Sequence, residues 1–107
     1  MSRNIVFAVA LALAVPSGTA AQDGAPTARV SIAHFAFEPA QLSVKAGTTV
    51  AWVNHDEEAH TVTAVDRSYA SAGLEQEEVY THRFAAPGTY TYFCALHPHM
   101  TATVVVR

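Results

Sequence analysis

Four side chains in this sequence can do metal chemistry together. Cys94, His97 and Met100 lie in the run Cys94-Ala95-Leu96-His97-Pro98-His99-Met100, and His60 lies upstream. The first three have C-x-x-H-x-x-M spacing on a connection between two strand-like segments, and His60 sits at the end of another. One thiolate, two imidazoles and one weak thioether form the trigonal ligand set of blue-copper electron-transfer sites. Soft sulfur suits Cu(I), imidazole suits both oxidation states, and a geometry fixed by the fold lets the metal cycle with little rearrangement. In that set Cys94 is the thiolate, His60 and His97 complete the trigonal plane, and Met100 is axial. Cys94 is the only cysteine, and Met1 is the only other methionine. Zinc is the other metal that Cys-His-His can hold, but structural zinc sites use more thiolate or histidine and no methionine.

The elements that must position these groups read as short strands. Residues 29–37 are rich in β-branched and aromatic types, and Glu38-Pro39-Ala40 breaks them. Residues 41–45 alternate Leu42 and Val44 with polar positions, Ala46-Gly47 turns the chain, and residues 48–54 place Val50 and Trp52 on one side. Residues 60–65 have strong β preference through Thr61, Val62 and Thr63. Residues 66–77 are the least regular, with a short helical turn expected within 68–77. Residues 78–85 alternate Tyr80, His82 and Phe84, Pro87-Gly88 is a turn, 89–94 form a Thr/Tyr/Phe-rich strand, and 101–107 close the chain. Seven or eight short strands with almost no helical periodicity predict an all-β antiparallel sandwich or barrel.

The N-terminus reads as a targeting segment. Met1-Ser2-Arg3-Asn4 is a short basic start, 5–15 is an unbroken apolar run of 11 residues, and Pro16-Ser17-Gly18-Thr19-Ala20-Ala21 offers small residues to a peptidase. The run is too short to span a bilayer, which needs about 20 residues. A signal peptide over 1–21, cut near Ala20 or Ala21, and a periplasmic destination are expected. A flexible leader over 22–28 and one domain over 29–107 follow. Loss of Arg3 leaves five basic against nine acidic side chains, a net charge of −4. Such a mildly acidic domain without a basic cluster argues against nucleic acid as a partner. A lone cysteine in an oxidising compartment is a liability unless something such as a metal occupies it.

Several marks together resemble the cupredoxin family, in particular its amicyanin-like and plastocyanin-like members. They are Phe35-x-Phe37-x-Pro39, Leu42-x-Val44-x-x-Gly47, Val50-x-Trp52-x-Asn54-x-Asp56 leading to His60-Thr61-Val62, and Pro87-Gly88-Thr89-Tyr90 leading to Cys94. The short C-x-x-H-P-x-M connection is closer to amicyanin than to plastocyanin. The resemblance implies an eight-stranded Greek-key β-sandwich with one type 1 copper near one end. It also implies that His97 reaches the surface inside an apolar patch, with Ala95, Leu96 and Pro98 as patch formers, where transient redox partners dock. Two departures stand out. Thr61 replaces the Asn or Ser common after the first histidine ligand, with a hydroxyl able to serve as well. His99 stands where amicyanin-like members carry an aromatic residue.

The remaining polar groups have plainer readings. His99 is a surface histidine beside the electron port, His34 lies on a sheet surface, His55 is solvated, and His82 packs beside Tyr80 and Phe84. Asp56-Glu57-Glu58 reads as a solvated acidic run, with a docking patch for a basic partner as the sharper alternative. Trp52, Tyr90 and Tyr92 build the core. The function expected is a monomeric one-electron carrier rather than an enzyme, since neither an oxyanion site nor a second histidine cluster is evident. The alternative is a copper carrier or store, against which the single Cys and single mature Met count.

Overall fold

The computed structural model describes residues 26–107, so the expected signal segment and most of the expected leader lie outside the described residues. The chain forms eight strands: β1 (Thr27–Ala33), β2 (Ala36–Glu38), β3 (Gln41–Val44), β4 (Thr48–Asn54), β5 (Thr63–Ala64), β6 (Val79–Phe84), β7 (Gly88–Cys94) and β8 (His97–Val106). They make two four-stranded sheets, ordered β2-β1-β4-β6 and β3-β8-β7-β5. The chain changes sheet at every connection except the hairpins β1–β2 and β7–β8, giving a Greek-key β-sandwich. The pairing is mixed rather than purely antiparallel, because β1 runs parallel to β4 and β3 parallel to β8.

Alternation along the strands builds the core. Val30 and Ile32 of β1, Val50 and Trp52 of β4, Tyr92 and Cys94 of β7, and Met100, Ala102, Val104 and Val106 of β8 are all buried. Trp52 sits between the sheets, with ring centroids 5.4 Å from Tyr92, 5.7 Å from Tyr80 and 6.0 Å from Tyr69. Large aromatic side chains dominate core energetics, so this cluster fixes how the two sheets sit on one another.

Five expectations about elements are corrected. The first strand begins at Thr27, inside the expected leader, because Thr27 and Ala28 pair with Thr49 and Val50 and the Pro26 carbonyl accepts from Thr49 N–H at 2.9 Å. The expected strand over 29–37 is broken at His34 and Phe35, whose φ values are +54° and +56°. Those two residues form the tight turn joining β1 to β2, so His34 lies in a turn and not on a sheet. The expected strand over 60–65 shrinks to Thr63–Ala64, and no helical turn occurs over 68–77. Instead 60–64 and 69–74 run as an irregular ribbon, with bridges His60–Leu74 and Thr63–Ala70. Finally, β8 starts at His97, so Ala95 and Leu96 alone make the turn of the β7–β8 hairpin.

Candidate metal centre

The two hairpin turns and the 55–62 crossover converge at one end of the sandwich. Cys94 ends β7 and His97 begins β8, opposite it in the ladder. Met100 lies three residues beyond His97 along β8 and is packed in the core with 3% exposure. His60 comes from the crossover, fully buried and bridged to Leu74. The donor atoms of His60, Cys94 and His97 all lie within 4.8 Å of one another.

The geometry suits a metal better than it suits hydrogen bonds. Cys94 Sγ is 3.8 Å from His60 Nδ1 and 3.7 Å from His97 Nδ1. A metal–sulfur bond of about 2.3 Å and a metal–nitrogen bond of about 2.0 Å at about 120° would separate sulfur and nitrogen by roughly 3.7 Å. The two separations therefore match two edges of a trigonal plane that would hold an ion. Burial of Cys94 and His60 keeps that centre dry, while His97 is partly exposed between Phe35 and Leu96, which are 44% and 55% exposed.

Thr61 does what the sequence assigned to it. Its backbone N–H donates to Cys94 Sγ at 3.3 Å, and its Oγ1 accepts from Ala95 N–H at 2.6 Å and contacts Thr63 Oγ1 at 2.9 Å. The crossover is thus tied directly to the β7–β8 turn. This use of Thr61 also explains why no regular strand spans 60–65: its backbone donor goes to sulfur and not to a ladder.

Two groups escaped the sequence reading. Asp56 is not simply part of a solvated acidic run, since its Oδ2 lies 2.9 Å from His60 Nε2. That contact makes Nε2 the protonated nitrogen and leaves Nδ1 free to face Cys94. Burial alone would raise the Asp56 carboxyl, but hydrogen bonds from Phe35 N–H, His60 and His34 N–H outweigh it and hold the pKa below the usual carboxylate value. Phe35 packs its ring edge-on to both His60 and His97, with centroids 4.9 and 5.0 Å away. A carboxylate four residues before the histidine was the signal in the sequence, but spacing alone does not distinguish it from Glu57 and Glu58, which are exposed.

The other histidines sort themselves by position. His99 and His34 are exposed, and His55 is exposed with Nδ1 3.3 Å from Glu77. His82 is half-buried and stacked on Tyr69 at 4.5 Å, with burial lowering its pKa.

Comparison with known proteins gives matches over most of the chain. The sequence model of the cupredoxin-like domain matches residues 5–106. Amicyanin-alpha of Methylorubrum extorquens is 34% identical over 118 aligned positions, covering 98% of this chain and 99% of that protein. Amicyanin of Paracoccus denitrificans is 37% identical over 83 positions, covering 73% of this chain and 63% of that protein. Among solved structures, the Cu(I) form of an amicyanin variant superposes with a TM-score of 0.72 at 32% identity, covering 76% of this chain and 82% of that one.

Proposed function

The chain belongs to the cupredoxin family, and from that premise we propose that it is a periplasmic one-electron carrier. Its single type 1 copper would be held by His60, Cys94 and His97, with Met100 as the axial ligand. The observation that carries this reading is the buried Cys94 thiol flanked by two imidazole nitrogens at 3.7 and 3.8 Å. When bound, copper supplies a Cu(I)/Cu(II) couple that exchanges one electron.

The residues of the chain do the rest. Cys94 would give a bound copper its sulfur ligand, and the Thr61 N–H donated to Sγ would disperse the negative charge of that thiolate. His60 is fixed by hydrogen bonding, and His97 offers a partly exposed ring edge through which a partner reaches the metal. Phe35 and Leu96 give that edge an apolar surround suited to brief docking of a redox protein. Strand ends supply the sulfur and His97, a placement that would hold a bound copper with little rearrangement when its charge changes. A signal segment over 1–21 would deliver the protein to the periplasm, and mass analysis of exported protein beginning at Ala21 or Gln22 would support it.

The test is the visible spectrum of the protein loaded with Cu(II), beside Cys94→Ala and Met100→Ala. An intense blue band, lost without Cys94 and shifted without Met100, is expected. A pale spectrum with only weak copper bands would remove the electron-carrier reading and favour a copper carrier or a zinc site.

A further inference from the structure

One carboxylate holds both a metal-facing histidine and the turn that covers it. Asp56 Oδ1 accepts from His34 N–H at 2.8 Å, and Oδ2 accepts from Phe35 N–H at 2.9 Å and from His60 Nε2 at 2.9 Å. His34 and Phe35 both occupy the left-handed region, at φ +54° and +56°. A two-residue hairpin turn with both positions left-handed normally uses Asn-Gly or Gly-Gly, because side chains with a bulky Cβ resist that conformation. Histidine tolerates it better than most residues, but phenylalanine does not. The β1–β2 ladder closes the turn, and the two N–H groups donated to the charged Asp56 are the side-chain contacts that hold its conformation.

The turn's conformation aims Phe35. Its ring meets His60 at an interplanar angle of 87° and His97 at 81°, while those two imidazoles are 5.1 Å apart. The three rings form a closed triangle, with Cys94 Sγ beside the two imidazoles and Phe35 the exposed member. Asp56 is itself anchored, because its N–H donates to Asn54 Oδ1 at 2.9 Å. Asn54 is fully buried, and its Nδ2 donates to the carbonyls of Glu58 and Leu74 at 2.9 Å.

We infer that Asp56 is a positioning residue that locks Phe35 as a lid over the two imidazoles and holds His60 at the same time. The lid keeps water and small anions off the metal position from the β1–β2 side, and it fixes the apolar surface beside His97. This rests on the electron-carrier reading for its consequence, but the clamp itself is a property of the metal-free chain.

The test uses Asp56→Asn and Phe35→Ala. Asn offers one acceptor oxygen in place of two, and its amide presents hydrogens to donors. In metal-free protein, amide exchange at His34 and Phe35 should rise at least about tenfold in Asp56→Asn, the local opening expected when a charge-assisted bond is lost. Phe35→Ala should leave the His34 amide protected. With Cu(II) bound, added azide should give a new anion-to-metal absorption in both variants and none in the parent, and Asp56→Asn should raise the reduction potential by removing negative charge near the metal. Parental exchange at both amides in Asp56→Asn, or exclusion of azide by Phe35→Ala, overturns the inference. If Asp56→Asn does not fold, the azide result with Phe35→Ala decides the lid. If the parent shows no blue band, the copper reading fails while the exchange comparison still decides the clamp.

Discussion

Replacing Thr61 by Val is a sharp test of how the ligand-bearing turn is held. The substitution preserves shape, so it opens no cavity, and the backbone donation to Cys94 Sγ is untouched. What disappears is one oxygen that accepts from Ala95 N–H at 2.6 Å and contacts Thr63 Oγ1 at 2.9 Å. Thr61 and Thr63 are 8% and 6% exposed, so the Thr63 hydroxyl loses its partner where water cannot readily replace it. The Ala95 amide is nearer the surface and is partly rescued by solvent. Leaving a buried polar group unpaired costs about 1–3 kcal/mol, and partial rescue brings the expected loss to about 1–2 kcal/mol. For a domain of this size each kcal/mol moves Tm by about 4–8 °C, so metal-free Thr61→Val should melt roughly 5–15 °C below the parent. Thr61→Ser keeps the acceptor and loses one buried methyl, about 0.8 kcal/mol. The two variants therefore separate in amide exchange at Ala95, which should accelerate in Val and remain parental in Ser. Thr61→Val melting within about 2 °C of the parent with Ala95 still protected would refute the argument that this hydroxyl ties the crossover to the turn.

Three further outcomes follow from the same geometry. Trp52→Ala removes the fully buried ring at the centre of the aromatic cluster and should cost about 3–5 kcal/mol by denaturant unfolding. Met100→Leu nearly conserves volume at a 3%-exposed position, so copper-loaded protein should stay blue while voltammetry shows a higher potential, because Cu(II) loses a donor. For His82, burial lowers the folded pKa, so between that value and the unfolded value near 6.5 the unfolded chain binds more protons. Stability is therefore lost as pH falls through about 6.5. The decline in Tm from pH 7 to pH 5 should be steeper in the parent than in His82→Gln, compared in the same metal state.

What could be read from sequence was whatever is written locally. The limits of β4 at Thr48 and Asn54 match expectation because hydrophobic alternation and the flanking Gly47 act within a few residues. The C-x-x-H-x-x-M run brings Cys94 and His97 together because a two-residue turn places them opposite each other in one ladder. Thr61 was legible as a hydroxyl next to a ligand. The hairpin at His34 and Phe35 was not, because His-Phe is no signature of a left-handed turn and the group that stabilises it is 21 or 22 positions away. The ribbon over 69–74 was hidden for the same reason. Its backbone bonds go to residues 60–64, and Ser71 Oγ accepts from Val62 N–H at 2.8 Å. Periodicity reports which face is buried, and long-range hydrogen bonds decide where strands stop.

The two sheets divide the work at the metal position, and this makes a distinction that experiment can reach. The β7–β8 hairpin of one sheet carries Cys94, His97 and Met100. The other sheet carries the parts that cover and orient them, with Phe35 on the β1–β2 turn and Asn54 and Asp56 at the end of β4. Trp52 against Tyr92 joins the sheets within the core, while at the site Thr61 ties the crossover to the β7–β8 turn and Asp56 ties it to the β1–β2 turn. Loss of the Trp52 ring should therefore lower stability while the copper spectrum of the remaining folded molecules stays parental, since the ligand contacts do not pass through that ring. Loss of the Thr61 hydroxyl should shift the spectrum as well as the melting point, because Ala95 follows Cys94 directly in the chain. If both variants shifted the spectrum alike, the core and the site would form one mechanical unit, and the separate ties at Thr61 and Asp56 would not be what fixes the ligands.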